Sequence, residues 1–226
     1  MPIEVIGPNW PSVRALREAL AEVPENGVLR WANGHGNKLE QLRVMAAGGV
    51  ETVPFTEDFN TIWVDNRDIH DSGEQIWLGR KFHHKEGKDI LFPDKKFWRV
   101  RDYWTKFVPS KEEWRIHVFD GKTIARSKKL ADAEPEKPTT HAQEIRNWRN
   151  GWRFRHSPDP PKGIREFAKA MVRACGYLYG ACDILVKPDG GFCALEVNTS
   201  PAMDNYTLRA YVKAIRRKFA NAANGR

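Results

Sequence analysis

An α+β fold is predicted by three features of the sequence. Hairpin signals stand at Asp120-Gly121 and at Pro188-Asp189-Gly190-Gly191, each between apolar alternating segments. Between and beyond them run stretches whose apolar residues recur three and four apart, the period of helices. The chain has 226 residues, 41% hydrophobic and 29% charged, which is enough to build a packed core and excludes a largely disordered polypeptide.

The elements follow in order. Ile3 to Ile6 is a short apolar strand closed by Gly7-Pro8. A helix with Ser12 near its N-cap follows, with Val13, Leu16, Leu20 and Val23 on one stripe. Gly27 to Ala32 is a strand that runs into a polar GHGNK loop. Lys38 to Ala47 is a helix with Leu39, Leu42, Met45 and Ala46 inward, stopped by Gly48-Gly49. Val50 to Pro54 reads as a short strand. From Thr61 the texture is β: Ile76 to Phe82, a polar loop HHKEGKDI around Gly87, then the strand region Trp98 to Val108. Trp114 to Phe119 and Thr123 to Lys129 flank the Asp-Gly turn. Residues 131–141, rich in proline and polar groups, are expected to form an exposed, mobile loop, and a basic, aromatic stretch NWRNGWRFRH follows. Pro161 to Gly176 is a helix with Ile164, Phe167, Met171, Val172 and Cys175 inward. The second hairpin and a C-terminal helix bearing Leu208, Tyr211, Val212, Ile215 and Phe219 on one face complete the chain.

Charge and composition narrow the function classes. Lys and Arg number 37 against 29 Asp and Glu, a net +8 that favours anionic partners such as nucleotides, polyphosphates or nucleic acid. No apolar run approaches the roughly 18–20 residues of a membrane span, and the first twenty residues lack the layout of a secretion signal, so the expected compartment is the cytoplasm. The three cysteines form no CxxC pair, which argues against a thiolate zinc site.

The second hairpin carries the strongest chemical signal. With Asp189-Gly190 as a two-residue turn, Asp183 lies opposite Glu196, and Asn198 points to the same face. Like charges directly opposite are destabilising, so these hard oxygen donors suggest Mg²⁺ or Mn²⁺ shared with water and phosphate. The plainer alternative is a solvated face whose acids pair with lysines. The first hairpin has the opposite sign. With Asp120-Gly121 as its turn, Arg115 is expected opposite Arg126, and Arg115, His117, Arg126 and Lys128 share one face while Trp114, Ile116 and Val118 take the other. A polyphosphate between facing cations, or a solvated basic face, accounts for that pattern. His83-His84 on a loop reads as solvated or as a phosphate contact. Trp148 and Trp152 read as packing residues or as acceptor platforms.

At this point the sequence resembles the ATP-grasp superfamily. ILVKPDGGFCALEVNTSP looks like its closing motif, an Asp on one strand and a Glu-x-Asn on the next that hold the metal ions of ATP. EEWRIHVFDGKTIARSKK resembles the central strand pair with its E-x-R and a distal basic residue. YWTKFV resembles the hinge whose backbone meets adenine. NKLEQLRVMAAGGVETVPFT resembles the segment that opens the domain. WLGRKFHHKEGKDI fits the strand and loop that close over the phosphates. IRNWRNGWRF resembles a segment of the ligases that modify a ribosomal protein, where it lies near phosphates and acceptor. The likeness runs from about Asn33 to the C-terminus. It departs from the pattern in having only Gly87 in the phosphate loop and Thr105 where the hinge commonly has an acid.

The resemblance implies two α+β subdomains whose antiparallel sheets grip ATP, about 60–108 and about 109–226 within a domain spanning 34–226, after a short α/β segment 1–33. It implies a compact member like those some phages carry, working in the host cytoplasm if viral. It further implies a carboxylate–amine ligase acting through an acylphosphate, with ATP and Mg²⁺ (or Mn²⁺), a small-molecule or peptide carboxylate and an amine acceptor. By the same resemblance Arg115, Lys128 and Asn147 form the catalytic set. Arg80, Lys106, Phe107, Val108, Glu113 and Arg126 bind nucleotide: Arg80 (or its neighbour Lys81) at the inner phosphates, Lys106 at phosphates or adenine, Glu113 at the ribose. Asp183, Glu196 and Asn198 hold the metal. The alternative is a non-catalytic nucleotide-binding or nucleic-acid-binding protein, nucleic acid being the less favoured partner and a membrane excluded.

Overall fold

The computed structural model describes residues 2–31, 37–60, 62, 77–82, 90–92, 98–132 and 146–223, backbone only at 149 and 223. Among the described residues, ten strands and four helices are arranged about three sheets. Strands β1 (Ile3–Ile6) and β2 (Gly27–Arg30) pair in parallel around helix α1 (Pro11–Leu20). Trp10 is the N-cap of α1 and Pro11 its first residue, so Ser12 lies inside the helix, where it is buried. A proline at the first helical position loses no hydrogen bond and fixes the helical φ, which explains the earlier start.

Helix α2 (Lys38–Ala47) begins at Asn37, whose side chain accepts from the Glu40 amide at 2.8 Å. The segment after it makes only a single bridge, Thr52 to Ala194, before the two-residue strand β3 (Phe55–Thr56). A three-stranded antiparallel sheet follows in the order β3, β5 (Tyr103–Lys106), β4 (Trp77–Arg80). The expected strand from Trp98 is a short 3₁₀ turn, Trp98–Val100, and the strand proper starts at Tyr103. The Trp98 indole donates to the Trp77 carbonyl at 2.8 Å, and Trp98, Trp104, Trp77 and Ile62 form a small core beneath this sheet. The Gly87 loop and most of the 131–141 loop lie outside the described residues.

The larger sheet has five antiparallel strands in the order β10 (Phe192–Asn198), β9 (Tyr179–Val186), β6 (Glu112–Phe119), β7 (Lys122–Ala131), β8 (Trp152–His156). Strand β8 arises from the basic, aromatic stretch to which the sequence assigned no element. Helix α3 (Ile164–Ala174) covers one face, where Ala168, Met171 and Val172 meet Ile116, Cys182 and Ile184 in the main core. Burying each large apolar side chain there contributes roughly 1.5–3 kcal/mol. Helix α4 (Asn205–Ala223) packs Tyr211 and Ile215 into a second core with α1, β1 and Trp31. All three cysteines are free and buried. Among the described residues no helix is long and apolar enough to cross a membrane.

Both hairpins depart in register from two-residue arithmetic. At the first, Asp120 and Gly121 both have positive φ, 50° and 68°, as a two-residue hairpin turn needs. A bulge between His117 and Val118 then shifts the pairing, so Arg115 stands opposite Ser127, Ile116 opposite Arg126 and Trp114 opposite Lys128. At the second, the Lys187 amide donates to the Gly191 carbonyl at 2.8 Å, closing a three-residue loop with Gly190 at φ 88°. A bulge between Ala194 and Glu196 restores the pairing of Glu196 with Asp183.

Candidate active site

The four registers combine into one rung across the large sheet: Glu196, Asp183, Arg115, Ser127 and His156, on five successive strands. Its side chains share the face opposite α3, because partners in a ladder point the same way. Arg115 sets the electrostatics. Its Nε and Nη2 donate to the two Asp183 carboxylate oxygens, each at 2.7 Å, a fork-on-fork ion pair. The side chains are 17% and 8% exposed, so little water screens the pair. Burial works against the guanidinium's charge, but the Asp183 carboxylate outweighs it and raises the pKa of Arg115. The Arg115 guanidinium also lies 4.1 Å over the Phe154 ring of β8.

Glu196 has a cation of its own, the ammonium of Lys38 at the start of α2. The facing acids are thus neutralised by Arg115 on one side and Lys38 on the other. The sequence offered Lys38 as part of the opening motif without a role, and its contact to Glu196 becomes visible only in three dimensions. Gln41, one turn along α2, also went unnoticed. Its amide donates to the Val197 carbonyl at 2.8 Å and accepts from the Val197 amide at 2.7 Å, sewing β10 to the helix between Glu196 and Asn198.

One rung below, Glu113 is buried on the same face and pairs with Lys129, whose ammonium sits 4.8 Å over the Phe154 ring. Burial raises the Glu113 carboxyl above the ordinary range, and Lys129 only partly offsets it. On the other side, His117 faces Tyr211, its Nδ1 3.3 Å from the hydroxyl. Burial, then the nearby Arg115 charge, lowers the pKa of His117 to about 3, so the ring is neutral.

The register corrects two sequence-based placements. Arg126 and Lys128 lie on the face opposite Arg115, with Ile116 and Trp114. Arg126 donates to the Pro158 carbonyl at 2.9 Å, and Lys128 pairs with Glu112. On the Arg115 face of β7, Lys129 is the basic residue next to the Arg115–Ser127 rung, and Lys122 shares that face at the turn end, opposite Phe119. The physical reason is the bulge, which inverts the alternation beyond it. His117 does share the face of Arg115, as a spacing of two residues requires.

Across from the rung, Arg80 ends β4. Its Nε donates to the Thr105 hydroxyl at 2.7 Å, burial lowers its pKa, and it interacts electrostatically with Tyr103 and Glu196. Lys106 pairs with Trp77 and therefore shares the tryptophan face of the small sheet, away from Arg80. Phe107 and Val108 continue beyond β5, Val108 packed against the main core. Asn147 caps the 3₁₀ turn Trp148–Asn150, accepting from the Asn150 amide at 3.0 Å. Asn198 accepts from the Ser200 amide at 2.8 Å. Trp148 is 59% exposed and stacks beneath Arg153, with 3.1 Å from guanidinium to ring centroid. His83 and His84 lie outside the described residues.

For a divalent cation, Asp183 and Glu196 offer two hard carboxylates side by side, which suits a partly hydrated ion shared with phosphate oxygens. Among the described residues no group of three or more His, Cys, Asp or Glu converges, so the protein alone would not complete a shell.

No family model matches the chain, and no curated protein matches it. Solved structures match its fold. The ATP-grasp ligase PsnB in complex with a minimal precursor aligns with a TM-score of 0.58 at 15% identity, covering 92% of this chain and 68% of that one. D-alanine–D-alanine ligase from Bacillus anthracis aligns at 0.55 and 19% identity, covering 83% and 62%. The macrocyclase MdnC from Microcystis aeruginosa MRC, bound with its precursor peptide MdnA, aligns at 0.52 and 16%, covering 78% and 59%. The chain thus spans about 60–70% of the length of these proteins. The chain has the ATP-grasp fold, and the solved structures that share it here are ligases.

Proposed function

We propose that this protein is an ATP-dependent ligase that joins a carboxylate to an amine through an acylphosphate, using Mg²⁺-ATP. The observation that carries this reading is the rung Glu196–Asp183–Arg115, with Lys38 against Glu196, in a chain of ATP-grasp fold. Its charges are balanced and its guanidinium is preorganised, which is what transfer of a phosphoryl group requires of a protein that makes no covalent bond to it.

In this reading Asp183 and Glu196 hold the metal, with Asn198 beside them. A metal held there would supply positive charge against the phosphates. Arg115 stabilises the transferred phosphoryl group and the acylphosphate. Lys38 and Lys129 add positive charge on the same face. Arg80 meets the inner phosphates from the small sheet. Precursor peptides are bound in several of the solved structures, which favours a peptide or amino-acid carboxylate among possible acyl donors. The nucleic-acid reading gains nothing from a neutralised acid pair at the centre of the sheet.

The test is isotopic. With a carboxylate substrate labelled with ¹⁸O at both oxygens, released phosphate is expected to carry one label, because the acylphosphate leaves a carboxyl oxygen on phosphorus when the amine attacks. Unlabelled phosphate from a reaction that still forms the amide would exclude the acylphosphate route.

A further inference from the structure

Away from the rung, a surface hollow of about 510 Å³ lies between the end of α1 and the outer side of α4. Ala19, Leu208, Val212 and Ala220 form its apolar floor. Arg209, Lys213, Arg216 and Arg217 stand around it, against a single acid, Glu25, which Arg216 already holds at 2.9 Å. Arg209, Lys213 and Arg217 are exposed and spaced four apart, so they form a like-charged ridge along the helix. From Asn205 to the end of the sequence there is no acidic residue. Like charges at that spacing destabilise a helix. None of the three belongs to the rung, and Arg209 donates only to the Asn205 carbonyl of its own helix among the described contacts.

We propose that this groove is a docking site for an acidic amphipathic helix of a partner protein. The floor from Leu208 to Ala220 runs about 18 Å along α4, the length of about three helical turns. Leucines of an incoming helix three and four apart would cover Leu208, Val212 and Ala220. Its acids at four-residue spacing would meet Arg209, Lys213 and Arg217. A nucleic-acid backbone would satisfy the cations but leave the apolar floor uncovered, and a flat anionic membrane would not fill a concave groove. The inference is independent of the catalytic reading.

The experiment is fluorescence anisotropy with the full chain and a labelled fourteen-residue synthetic helix. That peptide carries Leu at helical spacing flanked by Glu; a scrambled peptide of equal composition and a single-stranded oligonucleotide serve as controls. The helix is expected to bind more tightly than either control, and to weaken as salt is raised. Arg209→Glu with Arg217→Glu should weaken it about tenfold or more, and Val212→Ser should weaken it at unchanged salt dependence. Arg209 and Arg217 are exposed and Val212 is half-buried against the second core, so a circular dichroism melt of each variant checks the fold; if the double variant melts early, Lys213→Gln alone replaces it and must weaken binding. No binding of the helix, equal binding of the scrambled peptide, tighter binding of the oligonucleotide, or indifference to the charge variants would each overturn the proposal.

Discussion

Asp183 does two jobs that a single substitution separates. It faces Glu196, a like charge, and it forks with Arg115. Were repulsion dominant, Asp183→Asn would stabilise the apoprotein. The buried fork reverses that expectation: the variant leaves a guanidinium desolvated against a neutral amide and should lose about 3 kcal/mol in urea denaturation. Glu196→Gln, whose Lys38 partner is 34% exposed, should cost under about 1 kcal/mol. Both should abolish ADP formation. Equal stability losses in the two variants would contradict the assignment of the stronger pair. Arg115→Lys keeps the charge but has no fork to match a carboxylate or a phosphoryl group. It should bind ATP with nearly unchanged affinity in calorimetry while kcat falls by about a hundredfold or more; a fall in affinity alone would place Arg115 in ground-state binding.

Strand β9 carries both Asp183 and Gly180, which packs closely against β10. A Cβ on Gly180 would lie 2.3 Å from the Val197 side chain of β10, so Gly180→Ala should cost about 1–3 kcal/mol, with Val197→Ala in the same chain recovering part of it. Thermal melts of the single and double variants measure this, and additive losses would refute the clash. At this scale the sequence was legible where the period is regular and opaque where it breaks. The helical stripes gave α2, α3 and α4 because burial enforces their spacing. The Asp-Gly turn gave the first hairpin because its backbone needs positive φ. Neither bulge has a residue signature, and each inverts which neighbours face the site. In the second hairpin a three-residue loop and a bulge offset each other, so Asp183 meets Glu196 for a reason the two-residue count did not contain. In the first hairpin nothing offsets the bulge, and Lys129 rather than Lys128 reaches the Arg115 face. Lys38 and Gln41 were hidden for a different reason: their contacts cross more than 150 residues of sequence.

At the scale of the molecule, two sheets bring Arg80 from one side and the acid rung from the other into electrostatic contact, and α4 closes the far end with Tyr211 over His117. That closure has a pH signature. His117 is neutral in the fold, its pKa lowered to about 3, whereas the unfolded chain takes up the proton near the ordinary value of 6.5. Its contribution to stability is therefore complete above about pH 6.5 and is lost as pH falls from there toward 3. Comparing wild type with His117→Gln by urea denaturation between pH 7.5 and pH 4.5 isolates this term from other groups; wild type should lose more stability on acidification than the variant, and parallel losses would mean His117 is protonated in the fold. The most direct test of the central claim is nucleotide analysis with product mass spectrometry, after incubation with Mg²⁺-ATP and a panel of amino acids and peptides. The account predicts ADP and phosphate in equal amounts with a product whose mass is the sum of two substrates less one water, none of it formed by Glu196→Gln. Release of AMP and pyrophosphate, or ADP formation unaffected in that variant, would contradict it.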